Sequence, residues 1–186
     1  MLAGGRSLRF GTEKAVAVHR GDVLIAVAAA ALSAHCPDLA VNAPPGSGAA
    51  AFATNVGLSL VTDRPGAPDG PLAGLREGLA WAASIGAEML AVLPCDLPHV
   101  TPEVPAALIA ALTANGNAGA IAAHDHKGPH ALCSVWRVTG LPVVEAALAG
   151  GAHPPVRRVL EALGGLWLPI EAKFLINANT PDDLRP

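Results

Sequence analysis

The sequence predicts an α/β fold, a three-layer αβα domain around a mainly parallel sheet. Short apolar runs alternate with alanine-rich segments of helical character. Breakers such as Pro37, Asp63 and Pro94 fall where one segment gives way to the next. The 186 residues, 52% of them hydrophobic, suit one domain of ordinary size. Such a domain buries about 70% of the surface its unfolded chain exposes and needs no disulfide or structural metal.

In chain order, Asp22 is placed to cap a helix reaching about His35, which Pro37 ends. Residues 39–42 and 57–62 read as strands, the second ending at Asp63. After the turn-rich 64–70, a helix spans 71–84 with Pro71 at its first position, where a missing N–H is harmless. Residues 88–93 form a buried strand stopped by Pro94, and Thr101 caps a helix to about Ala114. Two strands, 118–123 and 130–138, flank a turn at Lys127 and Gly128. Helices follow at 141–149 and 156–163, then a strand at 166–169 and a short one at 174–176, ahead of the 177–184 segment. With no internal repeat and no linker, residues 1–186 are expected to form a single domain.

Charge and hydropathy exclude several classes. Twelve Lys and Arg against fifteen Asp and Glu leave a net charge of −3, which implies no nucleic-acid partner. The mean hydropathy of +0.43 suggests a membrane, but the uncharged stretches do not carry one. Residues 23–34 fall short of the roughly 20 needed to span a bilayer. Residues 39–62 are broken by Pro44, Pro45, Gly46 and Gly48, and 104–123 by Asn115, Gly116 and Asn117. Residues 1–10 hold glycine and arginine where a signal peptide needs an apolar core. Cys36, Cys95 and Cys133 form no C-x-x-C pair, as expected of reduced thiols in a cytoplasmic protein.

Two segments point to chemistry. MLAGGRSLRFGTEK, residues 1–14, gathers three glycines and three of the twelve cations. Glycines let backbone N–H groups converge on an anion, and Arg6, Arg9 and Lys14 neutralise it, which describes a phosphate cradle. Gly5 and Gly11 are one residue too far apart for a Walker A loop, and the G-x-G-x-x-G fingerprint is absent. PCDLP, residues 94–98, directly follows a buried strand. There Asp96 stands where open α/β sheets bind ligands, as a natural magnesium ligand beside a polyphosphate. The bland alternatives are a disordered basic terminus and an ordinary Asx-turn. His124, Asp125, His126 and His130 read as a polar hairpin tip ahead of a metal site, and Cys95 as a small hydrophobe ahead of a nucleophile. Trp81, Trp136 and Trp167 read as core or rim residues.

Together with GPLAGL at 70–75 and INANTPDDL at 176–184, these segments resemble, in order, those of the molybdenum cofactor guanylyltransferases. That family has the Rossmann-like, glycosyltransferase-A-like nucleotidyltransferase fold. The resemblance implies transfer of GMP from Mg-GTP to molybdopterin or its molybdenum form, giving the guanine dinucleotide cofactor and pyrophosphate. Leu2, Ala3, Gly4 and Gly5 would contact the nucleotide, and Arg9 and Lys14 would hold its phosphates. Asn42 would lie beside the guanine and ribose, Asp63 would make another nucleotide contact, and the loop from Gly70 to Gly74 would wrap the base. Asp96 would bind Mg2+, with Asn177 or Asn179 completing the metal site, and Arg158 would face the pterin. Arg9, Lys14 and Asp96 are thus the expected catalytic residues. Cofactor-biosynthesis proteins and acceptor molybdoenzymes are the implied partners.

The sequence departs from the family pattern in three places. Only Met1 and Leu2 precede Ala3 where a full first strand is usual, so a truncated central strand is expected. Glu13 stands for the usual Asp, and Phe10 for the common Met. Rivals are a cytidylyltransferase of the same cofactor, another sugar or cofactor nucleotidyltransferase, and a nucleotide-binding protein inactivated by loss of the first strand. Gly4 after Ala3, where the cytidylyl enzymes usually read L-A-A-G, favours guanine, as does GPLAGL.

Overall fold

The computed structural model describes residues 1–4, 10–11 and 13–185. Its elements are β1 (Val18–His19), β2 (Asp22–Val23), α1 (Leu24–Ser33), β3 (Ala40–Asn42), α2 (Gly48–Asn55), β4 (Ser59–Val61), α3 (Pro71–Ser84) and β5 (Met89–Val92). They continue with α4 (Glu103–Ala114), β6 (Ala120–Asp125), β7 (Gly128–Arg137), α5 (Leu141–Leu148), α6 (Val156–Ala162) and β8 (Leu166–Pro169). The helices bury one stripe each. In α1 it is Leu24, Ile25, Ala28, Ala31 and Leu32, and in α4 Val104, Leu108 and Leu112, the spacing of a 3.6-residue period.

Four local expectations are corrected. Asp22 does not cap α1; it pairs with His19 in a hairpin whose turn, Arg20 and Gly21, has positive φ at both positions, as a two-residue turn demands. Thr101 does not cap α4 either, since Pro102 holds the cap position without a side-chain bond. Residues 174–176 form no strand, and Ala172–Phe174 is a 3-10 turn. Helix α2 was not foreseen in the stretch rich in proline and glycine.

β3 and β4 pair in parallel, and β5-β7-β6-β8 make a four-stranded sheet. In that sheet β7 runs antiparallel to both β5 and β6, while β8 is parallel to β6. The pairing is therefore mixed. β6 and β7 are joined through His126 and Lys127 alone, and so short a connection forces antiparallel neighbours. Alternate residues divide the packing: Ile121, Ala123 and Val135 join the cluster with α1 and α4, whereas Ala120, Ala122 and Trp136 join that with α3, α5 and α6.

The two sheets are joined by residues 1–3. Leu2 bridges in parallel to Asn42 on one side and Pro94 on the other. Its N–H donates to the Leu93 carbonyl at 3.0 Å, and its own carbonyl accepts from Cys95 N at 3.3 Å. Across the opposite edge, Asn42 N donates to Met1 O at 2.9 Å and Ala3 N to Asn42 O at 2.8 Å. Residues 1–3 thus lie between the two sheets and bond to both. The Met1 ammonium is buried and donates to the Ala40 carbonyl at 2.8 Å.

Glu13 has a structural task. Its carboxylate accepts from Gly48 N at 2.6 Å and Ala49 N at 2.8 Å, while Ser47 Oγ accepts from Ala50 N at 3.1 Å. These N–H groups have no partner inside the helix, and a carboxylate also complements the positive end of the helix dipole. A Cβ on Gly48 would come within 3.0 Å of Glu13 Oε2 and of Val16 Cγ1, so glycine lets the carboxylate approach.

Two outcomes follow for stability. Glu13→Ala is expected to lower the unfolding free energy by about 1–2 kcal/mol, read as a lower urea midpoint at unchanged slope; a wild-type midpoint would remove Glu13 as an anchor of α2. Burial lowers the Met1 amine from 8.0 to about 6. Between those values the unfolded chain binds the proton and the folded chain does not, so stability rises with pH across this window. The gain from pH 6 to 8 is roughly 2 kcal/mol from this group, measurable by urea unfolding at the two pH values. A flat or falling profile would contradict the burial of this amine.

Candidate active site

Asp96 follows β5 and is fixed from three parts of the chain. The bonds between Leu2 and both Leu93 and Cys95 hold the turn after β5. Lys14 Nζ donates to Asp96 Oδ2 at 3.2 Å, and Asn177 Nδ2 donates to Oδ1 at 2.8 Å. Ala178 N donates to the Asp96 carbonyl at 2.9 Å. The Lys14 and Asp96 side chains are 17% and 21% exposed, so a ligand can reach them from a largely desolvated surround. Asn179 is not equivalent to Asn177: it is exposed and donates its backbone N–H to Asp183 Oδ2 at 2.7 Å.

Asp183 was not singled out from sequence, yet it folds the terminal segment. It accepts from Thr180 N at 2.8 Å as well as from Asn179 N. The backbone bonds from Thr180 and Asn179 hold its carboxyl below the usual carboxylate range, with Lys14 adding a smaller pull. Lys14, paired with Asp96, thus also pulls weakly on Asp183, 87 residues further along the chain.

A second group lies across the N-terminal segment. Asn42 Nδ2 donates to Asp63 Oδ1 at 2.9 Å. Its Oδ1 would lie 2.2 Å from a Cβ on Gly74 and 3.8 Å from one on Gly4, so the Asn42 amide accounts for glycine at 74. Leu2 and Ala3 spend their N–H groups on the ladder, which leaves Gly4 as the first loop residue whose amide no strand takes among the described residues. Gly70, at φ 136°, lies under the ring of His153, whose atoms a Cβ there would approach to 2.3 Å. Arg158 is exposed on α6, and no side-chain contact ties it to Asp96 among the described residues. Gly5, Arg6 and Arg9 lie outside the described residues.

The donor set suits a hard divalent cation. Magnesium keeps several waters and takes one or two carboxylates beside substrate phosphates, and Asp96 with the amide oxygen of Asn177 offers that much. Among the described residues no three His, Cys, Asp or Glu side chains gather as a metal cage. Burial pushes the Cys95 thiol up to about 12, which makes it a small hydrophobe rather than a nucleophile. In the histidine-rich hairpin, Asp125 Oδ1 accepts from Lys127 N at 2.7 Å and Gly128 N at 3.1 Å, and Oδ2 lies 3.4 Å from His130 Nε2; its carboxylate folds the turn. No helix among the described residues is long and apolar enough to cross a membrane.

Comparison with known proteins bears on the fold and the family. A molybdenum cofactor guanylyltransferase of Rhodobacter capsulatus is 34% identical over 189 residues, covering 99% of this chain and 90% of that protein. A probable molybdenum cofactor guanylyltransferase of Deinococcus radiodurans is likewise 34% identical, with the same coverage. Among solved structures, molybdopterin-guanine dinucleotide biosynthesis protein A of Archaeoglobus fulgidus superposes with a TM-score of 0.75 at 23% identity, over 98% of this chain and 92% of that one. A 4-diphosphocytidyl-2C-methyl-D-erythritol synthase of Anaerococcus prevotii does so at 0.69 with 11% identity, over 98% and 90%. The superpositions speak for the fold, and the curated relatives speak for more. Residues 1–166 match the MobA-like NTP transferase domain, and the chain belongs to that family of nucleotidyltransferases.

Proposed function

We propose that the protein is a molybdenum cofactor guanylyltransferase, which transfers GMP from GTP to the phosphate of molybdopterin or its molybdenum form and releases pyrophosphate. The observation that carries this reading is Asp96, held at the end of β5 with Lys14 on one oxygen and Asn177 on the other. The relatives with this name match nearly the whole chain.

The attacking group is a phosphate oxygen that is already an anion, so no general base is needed. The barrier is alignment and the repulsion between two phosphates. Lys14 brings positive charge to the transferring phosphate, and Arg9 is assigned the same task. Gly4 is assigned to offer its backbone N–H to the phosphates, and Gly5 the same task. Asp96 and Asn177 would hold Mg2+, which when bound withdraws charge from the triphosphate. Leu2 and Ala3 act by placing the loop, since their amides belong to the sheet.

On the nucleoside side, Asn42 and Asp63 offer donors and acceptors to the guanine and ribose, and the Gly70 and Gly74 loop closes over the base. Asn179 and the exposed Arg158 face the pterin substrate. The two packing clusters are read as the helical layers of one three-layer αβα domain spanning residues 1–186. The protein is assigned to the cytoplasm, where its reduced cysteines and its pterin substrate belong.

Asp96→Asn keeps an acceptor for Asn177 but removes the charge. Pyrophosphate release from GTP with molybdopterin should fall by about 10²- to 10³-fold, with the circular dichroism spectrum and unfolding midpoint close to wild type. Unchanged turnover would exclude Asp96 from the site.

A further inference from the structure

Three stretches of chain deliver the groups around Asp96, and one buried side chain on the first touches the other two. Lys14 opens the 3-10 turn Lys14–Val16, which leads into the β1-β2 hairpin. Asp96 stands three residues ahead of His99, and Asn177 begins the 177–184 segment. His19, on β1, is 6% exposed. Its Nδ1 lies 3.0 Å from the Leu184 carbonyl oxygen, across 165 residues of sequence. Its ring meets that of His99 edge to face, with centroids 5.3 Å apart and planes at 77°.

A carbonyl oxygen only accepts, so Nδ1 carries the proton and donates. The other ring nitrogen, Nε2, is buried with no hydrogen-bond partner among the described residues. An imidazole is a costly filler for such a position, since a leucine would bury there without leaving an acceptor unpaired. What the ring supplies is the bond to Leu184. The segment it holds is tied to itself: Leu184 ends the 3-10 turn Pro181–Leu184, and Asp183 Oδ2 draws that turn back to the amides of Asn179 and Thr180. Hydrogen bonds attach the piece at both ends, to His19 at Leu184 and to Asp96 at Asn177 and Ala178.

We propose that His19 is a positioning residue for the transfer: its bond to Leu184 holds residues 177–184 against the β1-β2 hairpin and so keeps the Asn177 amide on Asp96. This rests on the reading of Asp96 and Asn177 as the pair that holds Mg2+. Asn177 reaches Asp96 through one neutral hydrogen bond, and a segment released at its far end loses the register that this bond needs. The hairpin is a suitable anchor because it follows directly on Lys14. The stretch that sets the cation on Asp96 Oδ2 thereby also sets the segment that supplies the donor to Oδ1.

The test compares, in the full chain, His19→Leu, which fills the place of the ring without a donor, with His19→Asn, whose Nδ2 stands where Nδ1 does but which lacks the ring. Hydrogen exchange is read at the amide of Ala178, which donates to the Asp96 carbonyl, and at that of Val135, buried in β7. Exchange at Ala178 relative to Val135 should quicken about two- to tenfold in His19→Leu and return to the wild-type ratio in His19→Asn. The Mg2+ concentration that half-saturates GMP transfer should rise by a similar factor in His19→Leu, with a smaller effect on kcat, and recover in His19→Asn. An unchanged exchange ratio in His19→Leu would overturn the proposal, and if both amides quicken together the cause is a general loss of stability. A ratio that stays high in His19→Asn would overturn it in favour of ring packing against His99. A wild-type chain that transfers no GMP would overturn the guanylyltransferase reading, while the exchange ratio still decides whether His19 holds the segment.

Discussion

The bridge at Leu2 is the constraint on which the arrangement depends. One residue closes a ladder to Leu93 and Cys95 on one side, and its neighbours Met1 and Ala3 close another to Asn42. Without these bonds the β3-β4 pair and the four-stranded sheet would be separate ladders. The same residues place three parts of the site at once. Asp96 follows the residue that bonds Leu2, Asn42 is the partner of Met1 and Ala3, and the glycine loop leaves directly from Ala3. The proposed nucleotide site at the end of this sheet would thus follow from how the sheet is joined, in keeping with ligand binding at the carboxyl ends of strands in open α/β folds.

Around that join the charges are arranged to be shared. Lys14 lies 3.2 Å from Asp96 and adds a small pull on Asp183, while Asp96 is bound to the terminal segment by Asn177 and Ala178. Asn177 completes the link with a neutral donor, which adds a bond without adding charge. The loop's other end is anchored differently, through Glu13 on the N-terminus of α2. A carboxylate one residue before Lys14 would otherwise weaken a phosphate site. Turned to the amides of Gly48 and Ala49, it steadies the backbone that carries the lysine.

Much of this was legible in sequence where the cause is local. The strands at 39–42 and 88–93 and the helix at 71–84 were placed closely, because apolar period and proline breakers act within a few residues. The place of Asp96 was legible for the same reason, as a carboxylate soon after a buried strand. What escaped depends on partners distant in sequence. Helix α2 hides behind Pro44, Pro45 and Gly46, and part of its cap comes from Glu13, 35 residues earlier. The choice of Asn177 over Asn179 rests on which side chain meets Asp96 across 81 residues. The antiparallel course of β7 had a local signal, the short link after Asp125, which was outweighed by the alternating pattern of the chain. The join made by residues 1–3 also escaped, since it lies in bonds to Asn42, Leu93 and Cys95 that no motif records.

The central claim is that GTP donates its α-phosphate to a pterin phosphate at Asp96. The direct measurement is to incubate the protein with molybdopterin, Mg2+ and either GTP or CTP labelled at the α-phosphate, and to follow the label. The account predicts that label from GTP appears in a pterin dinucleotide with one pyrophosphate released per transfer, and that CTP donates poorly. Label passing equally from CTP, or remaining in GTP while the pterin is unmodified, would contradict it.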